Sequence, residues 1–442
     1  MFLEKAKFLI AAPSSGSGKT TISLGLMRAI SRLGADVQPY KCGPDYIDTM
    51  HHTTASGRES INLDLFMSPR EHVSEIFDRH FHTADVAIVE GVMGLFDGAE
   101  RMRGSSAEIA ELLDLPIVLV MNAKAMAYSA APILYGFVRF RPQLRFAGVI
   151  FNFVSSASHY EFLKEAALDA GIRPLGYIPT NPLIQIGSRH LGLDIAPGVG
   201  FSDIIERAAD HIEKQVDIPA LLELCKTEHK PEPRTSKPSG KLRIAVAQDE
   251  AFNFAYTENT AALEELGELV FFSPLHDSAL PCADLLYIAG GYPELYLHEL
   301  TANEPMRDAI LEYCESGGRV WAECGGMMYL CRGIVDQSGE NFPMVGALQQ
   351  TASMLEMKMH LGYRSVQIGE YVFRGHEFHY SHISESAEIA APLNVLTARG
   401  RESGTAIFAV RNVRASYVHF YWAHCCSDFF REIFAKHEES HS

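Results

Sequence analysis

The chain has 442 residues, 47% hydrophobic and 21% charged, enough for two ordinary domains with separate cores, and it has no apolar run near the roughly 18 residues of a membrane span. Its formal charge of -17, from 55 acidic against 38 basic side chains, argues against nucleic acid or an anionic membrane as partner. The eight cysteines have no paired spacing and read as reduced thiols in a cytoplasm, with room for one to be catalytic. The apolar start over residues 1–10 is too short for a secretory leader and runs directly into a glycine-rich loop, so a cytoplasmic protein is expected.

In chain order, strands are expected over residues 8–12, 37–41, 86–90, 117–121, 147–151 and 174–178, with helices over 20–33, 69–81 and 160–170. Buried strands alternating with helices predict a mostly parallel sheet covered on both faces. Residues 227–241 are prolines, charges and small polar groups without an apolar period, the composition of a linker. Alternation restarts with strands over 242–247, 269–272, 285–289 and 320–323 and helices near 258–266 and 306–315. The fold class is therefore α/β in two domains, 1–226 and 242–442.

In the first domain, Pro13-Ser14-Ser15-Gly16-Ser17-Gly18-Lys19-Thr20 follows a strand and opens a helix, the setting of a P-loop. Pro13 stands where the strict pattern has its first glycine. Ser15, Gly16, Ser17, Gly18, Lys19, Thr20 and Thr21 form the expected cradle, in which backbone N–H groups face phosphate oxygens and Lys19 neutralises charge. Thr20 offers a hydroxyl to Mg²⁺. Phosphoryl transfer needs further carboxylates and cations, and Lys41 and Glu90 both end strands at the edge where α/β sites lie. Asp45 and Asp48 share the loop after Lys41, and Asp97 lies in the glycine-rich stretch after Glu90.

In the second domain, Arg319-Val320-Trp321-Ala322-Glu323-Cys324-Gly325-Gly326 is a strand entering a sharp turn, as in a nucleophile elbow. A helix N-terminus after the turn is expected to favour the Cys324 thiolate. Glutamine hydrolysis needs such a nucleophile and a base, and His419 is the best candidate base. Gly291, just after a strand, and Gly325 can supply oxyanion-hole N–H groups. His376, His379 and His382 do not have the spacing of H-E-x-x-H, so a metal site is the weaker reading of that cluster.

The segments A-P-S-S-G-S-G-K-T-T, K-C-G-P-D-Y-I-D and E-G-V-M-G-L-F-D-G resemble the cobyrinic acid a,c-diamide synthase family and its nickel-sirohydrochlorin relatives. That resemblance implies a dethiobiotin synthetase-like ATPase domain using ATP and Mg²⁺. It implies that Lys19 and Lys41 contact phosphates, that Thr20, Asp48 and Glu90 hold Mg²⁺, and that Asp45, Asp48, Glu90 and Asp97 surround a phosphorylated carboxylate. Tyr46 and Ile47 are then near the macrocycle. Asn122 departs from the family, which tends to place an aspartate there.

The segments G-G-Y-P-E, A-E-C-G-G-M-M-Y-L, G-H-E-F-H-Y-S and S-Y-V-H resemble a class I glutamine amidotransferase domain of the same branch. Other class I enzymes carry a glutamate two residues after the histidine; here that residue is Tyr421, which implies a Cys-His pair without a carboxylate. The resemblance suggests that the three histidines lie near the macrocycle or a domain interface. The expected activity is amidation of the a and c acetates of cobyrinic acid through acyl phosphates, with glutamine and a carboxylated tetrapyrrole as substrates. The same reaction on nickel-sirohydrochlorin or hydrogenobyrinic acid, cobyric acid synthesis, and a P-loop switch carrying an inactive amidotransferase module stay open, and a homodimer is compatible with the sequence.

Overall fold

The computed structural model describes residues 5–184, 201–228, 240–385 and 393–435. The chain divides into two compact units, Met1–Thr235 and Ser236–Ser442. Most of the expected linker, residues 229–239, lies outside the described residues.

Strands β1 (Ala6–Ala11) and β4 (Val86–Glu90) are buried at every position, so they need cover on both faces. With β2 (Val37–Cys42), β3 (Ile61–Leu63), β5 (Ile117–Asn122), β6 (Phe146–Val154) and β7 (Pro174–Pro179), they form a parallel seven-stranded sheet, order β3-β2-β4-β1-β5-β6-β7. On one face Ile22, Leu26 and Ile30 of α1 (Lys19–Arg32) pack with Ile205, Ala209 and Ile212 of the helix Phe201–Gln215. On the other, Val73, Phe77 and Phe81 of the helix Arg70–Phe81 pack with Ile109. The expected strands and helices of this half are present, with ends shifted by no more than three residues.

The expected elements omit β3 and several helices, Phe201–Gln215 among them, and one omitted helix lies at the candidate site. Residues after Lys41 read as a loop, yet α2 (Tyr46–Ser56) starts there. Its stretch M-H-H-T-T carries no apolar stripe, so periodicity is silent. The Asp45 side chain supplies the start, accepting from the backbone N–H of Ile47 at 3.0 Å and of Asp48 at 2.8 Å.

The second unit has β8 (Leu242–Ala247), β9 (Gly267–Phe272), β10 (Leu285–Ile288) and β11 (Arg319–Glu323), as the alternation predicts. It then departs from simple alternation. The segment after Cys331 is β-rich: β12 (Cys331–Val335), β13 (Asn341–Pro343), β14 (Leu348–Ser353), β15 (His360–Ile368), β16 (Tyr371–His379), β17 (His382–Glu385), β18 (Val395–Thr397), β19 (Ile407–Val410), β20 (Val413–Ser416) and β21 (Val418–Tyr421). Buried charge hides these strands from a hydrophobic pattern, since Arg364 of β15 and Glu377 of β16 pair inside the fold. The sheets are β19-β20-β11-β10-β8-β9, β13-β12-β14-β17 and β18-β15-β16-β21. The chain changes sheet at Tyr417, from β20 beside β11 to β21 beside β16. That switch carries His419 toward the end of β11.

Among the described residues, no helix is long and apolar enough to cross a membrane.

Candidate active sites in the two units

In the first unit the site is built at the carboxyl ends of β1, β2 and β4. Gly18 begins α1 in the left-handed region, φ 84°, and a Cβ there would lie 2.0 Å from the Asn152 side chain, so only glycine fits. No side chain caps α1, which leaves its first N–H groups for a ligand. Around Gly16 a Cβ would meet nothing within 4 Å, so the loop is open where phosphate oxygens would lie. Ser17 donates to Ser14 O at 2.9 Å and Lys19 Nζ to Met93 O at 2.5 Å. Ser15 is exposed, and Thr21 reaches Ile184 O at 3.5 Å.

Glu90 is the hub. Lys41 and Glu90 are register partners on β2 and β4, which puts their side chains on one face of the sheet. Lys41 Nζ lies 2.9 Å from Glu90 and 2.6 Å from Asp48, while Thr20 donates to Glu90 at 2.8 Å. Burial alone would push the Glu90 carboxyl up, but Lys41 and His52 hold it down to about 2. Burial likewise works against the Lys41 ammonium, and Asp48 and Glu90 together hold its pKa above the usual lysine range. Lys19 has its pKa lowered by burial and by Lys41. The donors Thr20, Asp48 and Glu90 are all oxygens beside the loop, and they fit a hard divalent cation with phosphates.

The other expected residues sit at the margin of this hub. Asp45 caps α2, and Tyr46 and Ile47 are buried in its first turn. Asp97 accepts from Gly94 N at 3.0 Å, tying the loop after Glu90. Asn122 is exposed and accepts from Lys124 N at 2.9 Å. His52 was not singled out in the sequence, yet its Nε2 lies 2.8 Å from Glu90. The signal was available, because His52 is four residues after Asp48 and therefore on the same face of α2.

In the second unit, Cys324 follows β11 at φ 46° and ψ -107°, a strained conformation for a side chain with a Cβ. Its N–H donates to Ser416 O at 2.7 Å, and the helix Gly325–Leu330 follows. A Cβ at Gly325 would lie 2.6 Å from Gly291 O, so the two backbones proposed to share the oxyanion approach as only glycine permits. The Cys324 thiol donates to Phe378 O at 3.8 Å. The expected ease of forming a thiolate is not what the environment favours. Burial pushes the thiol up and the Glu294 charge adds to that, and the backbone hydrogen bond at Gly325 offsets only part.

His419 is register partner to His376, and the two rings stack at 4.9 Å. Its imidazole is held far below its usual pKa by burial, then by His376 and His379, which favours the neutral ring. It packs against Gly290, where a Cβ would lie 2.2 Å from Cε1. A carboxylate does come near: Glu323 Oε2 is 4.0 Å from His419 Nδ1. Tyr421 packs edge-on against Tyr256.

Cys324 opens into a pocket lined by Phe254, Gly291, Tyr292, Glu294, Met328, Phe378, His379, Tyr380 and Ser381. His360, Glu377 and His379 bring ligand atoms within 4.8 Å of one another. That group is already committed, since Glu377 is held by Arg364, His379 and Thr405, and the second nitrogen of His379 bonds Ser381 O at 2.8 Å. His376 bonds the Tyr256 hydroxyl at 2.7 Å.

Residues 8–193 match the CobQ/CobB/MinD/ParA nucleotide binding domain, and residues 243–425 match the CobB/CobQ-like glutamine amidotransferase domain. A cobyrinate a,c-diamide synthase of Syntrophotalea carbinolica is 41% identical, covering 94% of this chain and 95% of the relative. One of Picrophilus torridus is 40% identical, over 94% of this chain and 95% of the relative. A hydrogenobyrinate a,c-diamide synthase of Brucella abortus is 40% identical, over 93% of this chain and 97% of the relative.

Proposed function

This chain belongs to the family of cobyrinate and hydrogenobyrinate a,c-diamide synthases, and we propose that it amidates the a and c acetates of cobyrinic acid in cobalamin biosynthesis, using ATP and glutamine. It is a glutamine-hydrolysing carbon–nitrogen ligase. The observation that carries this reading is one chain holding both a phosphate cradle ending on Glu90 and an elbow presenting Cys324.

In the first unit the backbone from Ser15 to Thr21, with Lys19, would hold the phosphates of ATP. Thr20, Asp48 and Glu90 would hold Mg²⁺, which supplies charge neutralisation at the transferred phosphoryl group. Lys41, already on both carboxylates, holds Glu90 ionised and adds positive charge. The γ-phosphoryl group passes to an acetate oxygen, giving ADP and an acyl phosphate. Asp45 and Asp97 border that carboxylate, and Tyr46 and Ile47 face the macrocycle.

In the second unit the Cys324 sulfur attacks the glutamine amide carbon while His419 takes the thiol proton. N–H groups of Gly291 and Gly325 receive the oxyanion. The carbon–nitrogen bond breaks as His419 returns the proton, releasing ammonia and leaving a thioester that water hydrolyses to glutamate. Unprotonated ammonia then attacks the acyl phosphate and expels phosphate. The eight free thiols suit a cytoplasmic setting.

The test is mass spectrometry after incubation with ATP, Mg²⁺, glutamine and, in separate tubes, cobyrinic acid, hydrogenobyrinic acid and nickel-sirohydrochlorin. Two successive exchanges of OH for NH₂ on cobyrinic acid support the reading. The same change on another macrocycle alone moves the substrate and keeps the chemistry. ATP binding without ammonia release from glutamine overturns it in favour of a switch.

A further inference from the structure

Glu294 follows Gly291 in the short turn Pro293–Leu295, and its side chain lines the pocket that holds Cys324. Its Oε2 is out of contact with solvent and has no hydrogen-bond partner among the described residues. Nearly every buried polar atom in a folded protein is paired, and an isolated buried carboxylate is costly. Glu294 is half-buried and its own backbone N–H bonds the carboxyl, so it is the Oε2 atom, at the wall of a reaction pocket, that is placed to take a partner arriving with the substrate.

Glutamine brings one. Its α-ammonium group is joined to the amide carbon through the α-carbon and two methylenes. A nucleophile and an anion on the walls of one small pocket can engage both ends of that molecule. We propose that the Glu294 carboxylate receives the α-ammonium group of the glutamine whose amide Cys324 attacks. This rests on Cys324 being the glutaminase nucleophile.

The pairing also accounts for two local electrostatic facts. Burial raises the Glu294 carboxyl to about 7, and an incoming ammonium restores its charge. A Glu294 charge opposes ionisation of the Cys324 thiol, and pairing that charge with the substrate ammonium removes the net charge that would oppose attack when glutamine is bound. The other acids that act on this thiol are already held, Glu377 by Arg364 and His379 and Glu323 by Trp321, the Phe420 N–H and Tyr287. Glu294 is thus the acid available for a substrate cation.

The experiment compares ammonia release from L-glutamine and from 4-carbamoylbutanoate, which lacks the amino group, in the full-length enzyme and in Glu294→Gln and Glu294→Asp. The wild type prefers glutamine. Glu294→Gln raises KM for glutamine about 10- to 100-fold, the range for losing a charge-assisted hydrogen bond, and narrows the preference by a similar factor. Glu294→Asp falls between. Alkylation of Cys324 by iodoacetamide, no slower in Glu294→Gln than in wild type, reports an intact elbow. A Glu294→Gln enzyme with wild-type preference overturns the proposal, as does a wild type that uses both substrates equally. If Glu294→Gln does not fold, the wild-type preference and Glu294→Asp decide. Absence of Cys324-dependent ammonia release from either substrate instead removes the glutaminase reading itself.

Discussion

The Nδ1 atom of His419 lies 4.0 Å from the Oε2 atom of Glu323, the residue immediately before Cys324. A carboxyl group, absent at position 421, thus comes near His419 from another strand, although 4.0 Å is longer than a hydrogen bond. Glu323 is fixed by three donors: Trp321 Nε1 at 3.0 Å, the Phe420 N–H at 3.0 Å and the Tyr287 hydroxyl at 3.1 Å.

Burial raises the Glu323 carboxyl from 4.5 to about 8, with Trp321, Phe420 and Tyr287 offsetting only part. The folded state therefore holds a proton that the unfolded state has lost over that window. Stability should fall as pH rises from about 4.5 to about 8, and Glu294, raised to about 7, acts with the same sign. Urea denaturation across this range should show the fall, and Glu323→Gln should flatten it. An unchanged slope in Glu323→Gln would assign the pH dependence elsewhere.

Gly290→Ala should displace His419, the proposed base, and leave Cys324, the proposed nucleophile, in place. The new methyl would sit 2.2 Å from His419 Cε1, so the imidazole must move. Ammonia release should drop about 100-fold, in line with a general base displaced from its partner. Iodoacetamide alkylation of Cys324 should persist, because the thiol itself is unaltered.

Lys41→Met should destabilise the first unit by about 3–5 kcal/mol, the range for removing one partner of a buried ion pair. It leaves Asp48 and Glu90 buried side by side without their cation. Denaturant melts would register the loss. Glu90 is held down to about 2, so its contribution is present above about pH 4.5 and is lost as pH falls toward 2. Acid melts of wild type and Glu90→Gln should therefore converge at the lowest pH.

Cys324→Ser should abolish amidation driven by glutamine while amidation driven by ammonium chloride at alkaline pH continues. Product mass spectra under the two nitrogen sources would read this out. Loss of both would contradict the division of labour between phosphate cradle and elbow.

How much was legible follows from how local each feature is. The P-loop and the elbow depend on residues next to one another, because Gly18 at φ 84° and Cys324 at φ 46° set their turns from within. The sheet of the first unit was legible because its strands are buried on both faces and so read as apolar runs. The strands after Cys331 were not, since Arg364 and Glu377 interrupt the pattern and are stable inside only through each other. α2 escaped because a side-chain cap, not an apolar stripe, starts it.

The sequence by itself determined the two chemistries, through contiguous motifs whose spacing fixes backbone geometry. Tertiary structure alone decided the partners: His52 on Glu90, Glu323 near His419, and Glu294 in the Cys324 pocket. Those relations join side chains from different elements. Their energetics turn on burial, which raises Glu294 and Glu323, and on the Lys41 cation, brought close enough to hold Glu90 down. A one-dimensional pattern carries neither quantity, because both arise only when the sheets close around the site.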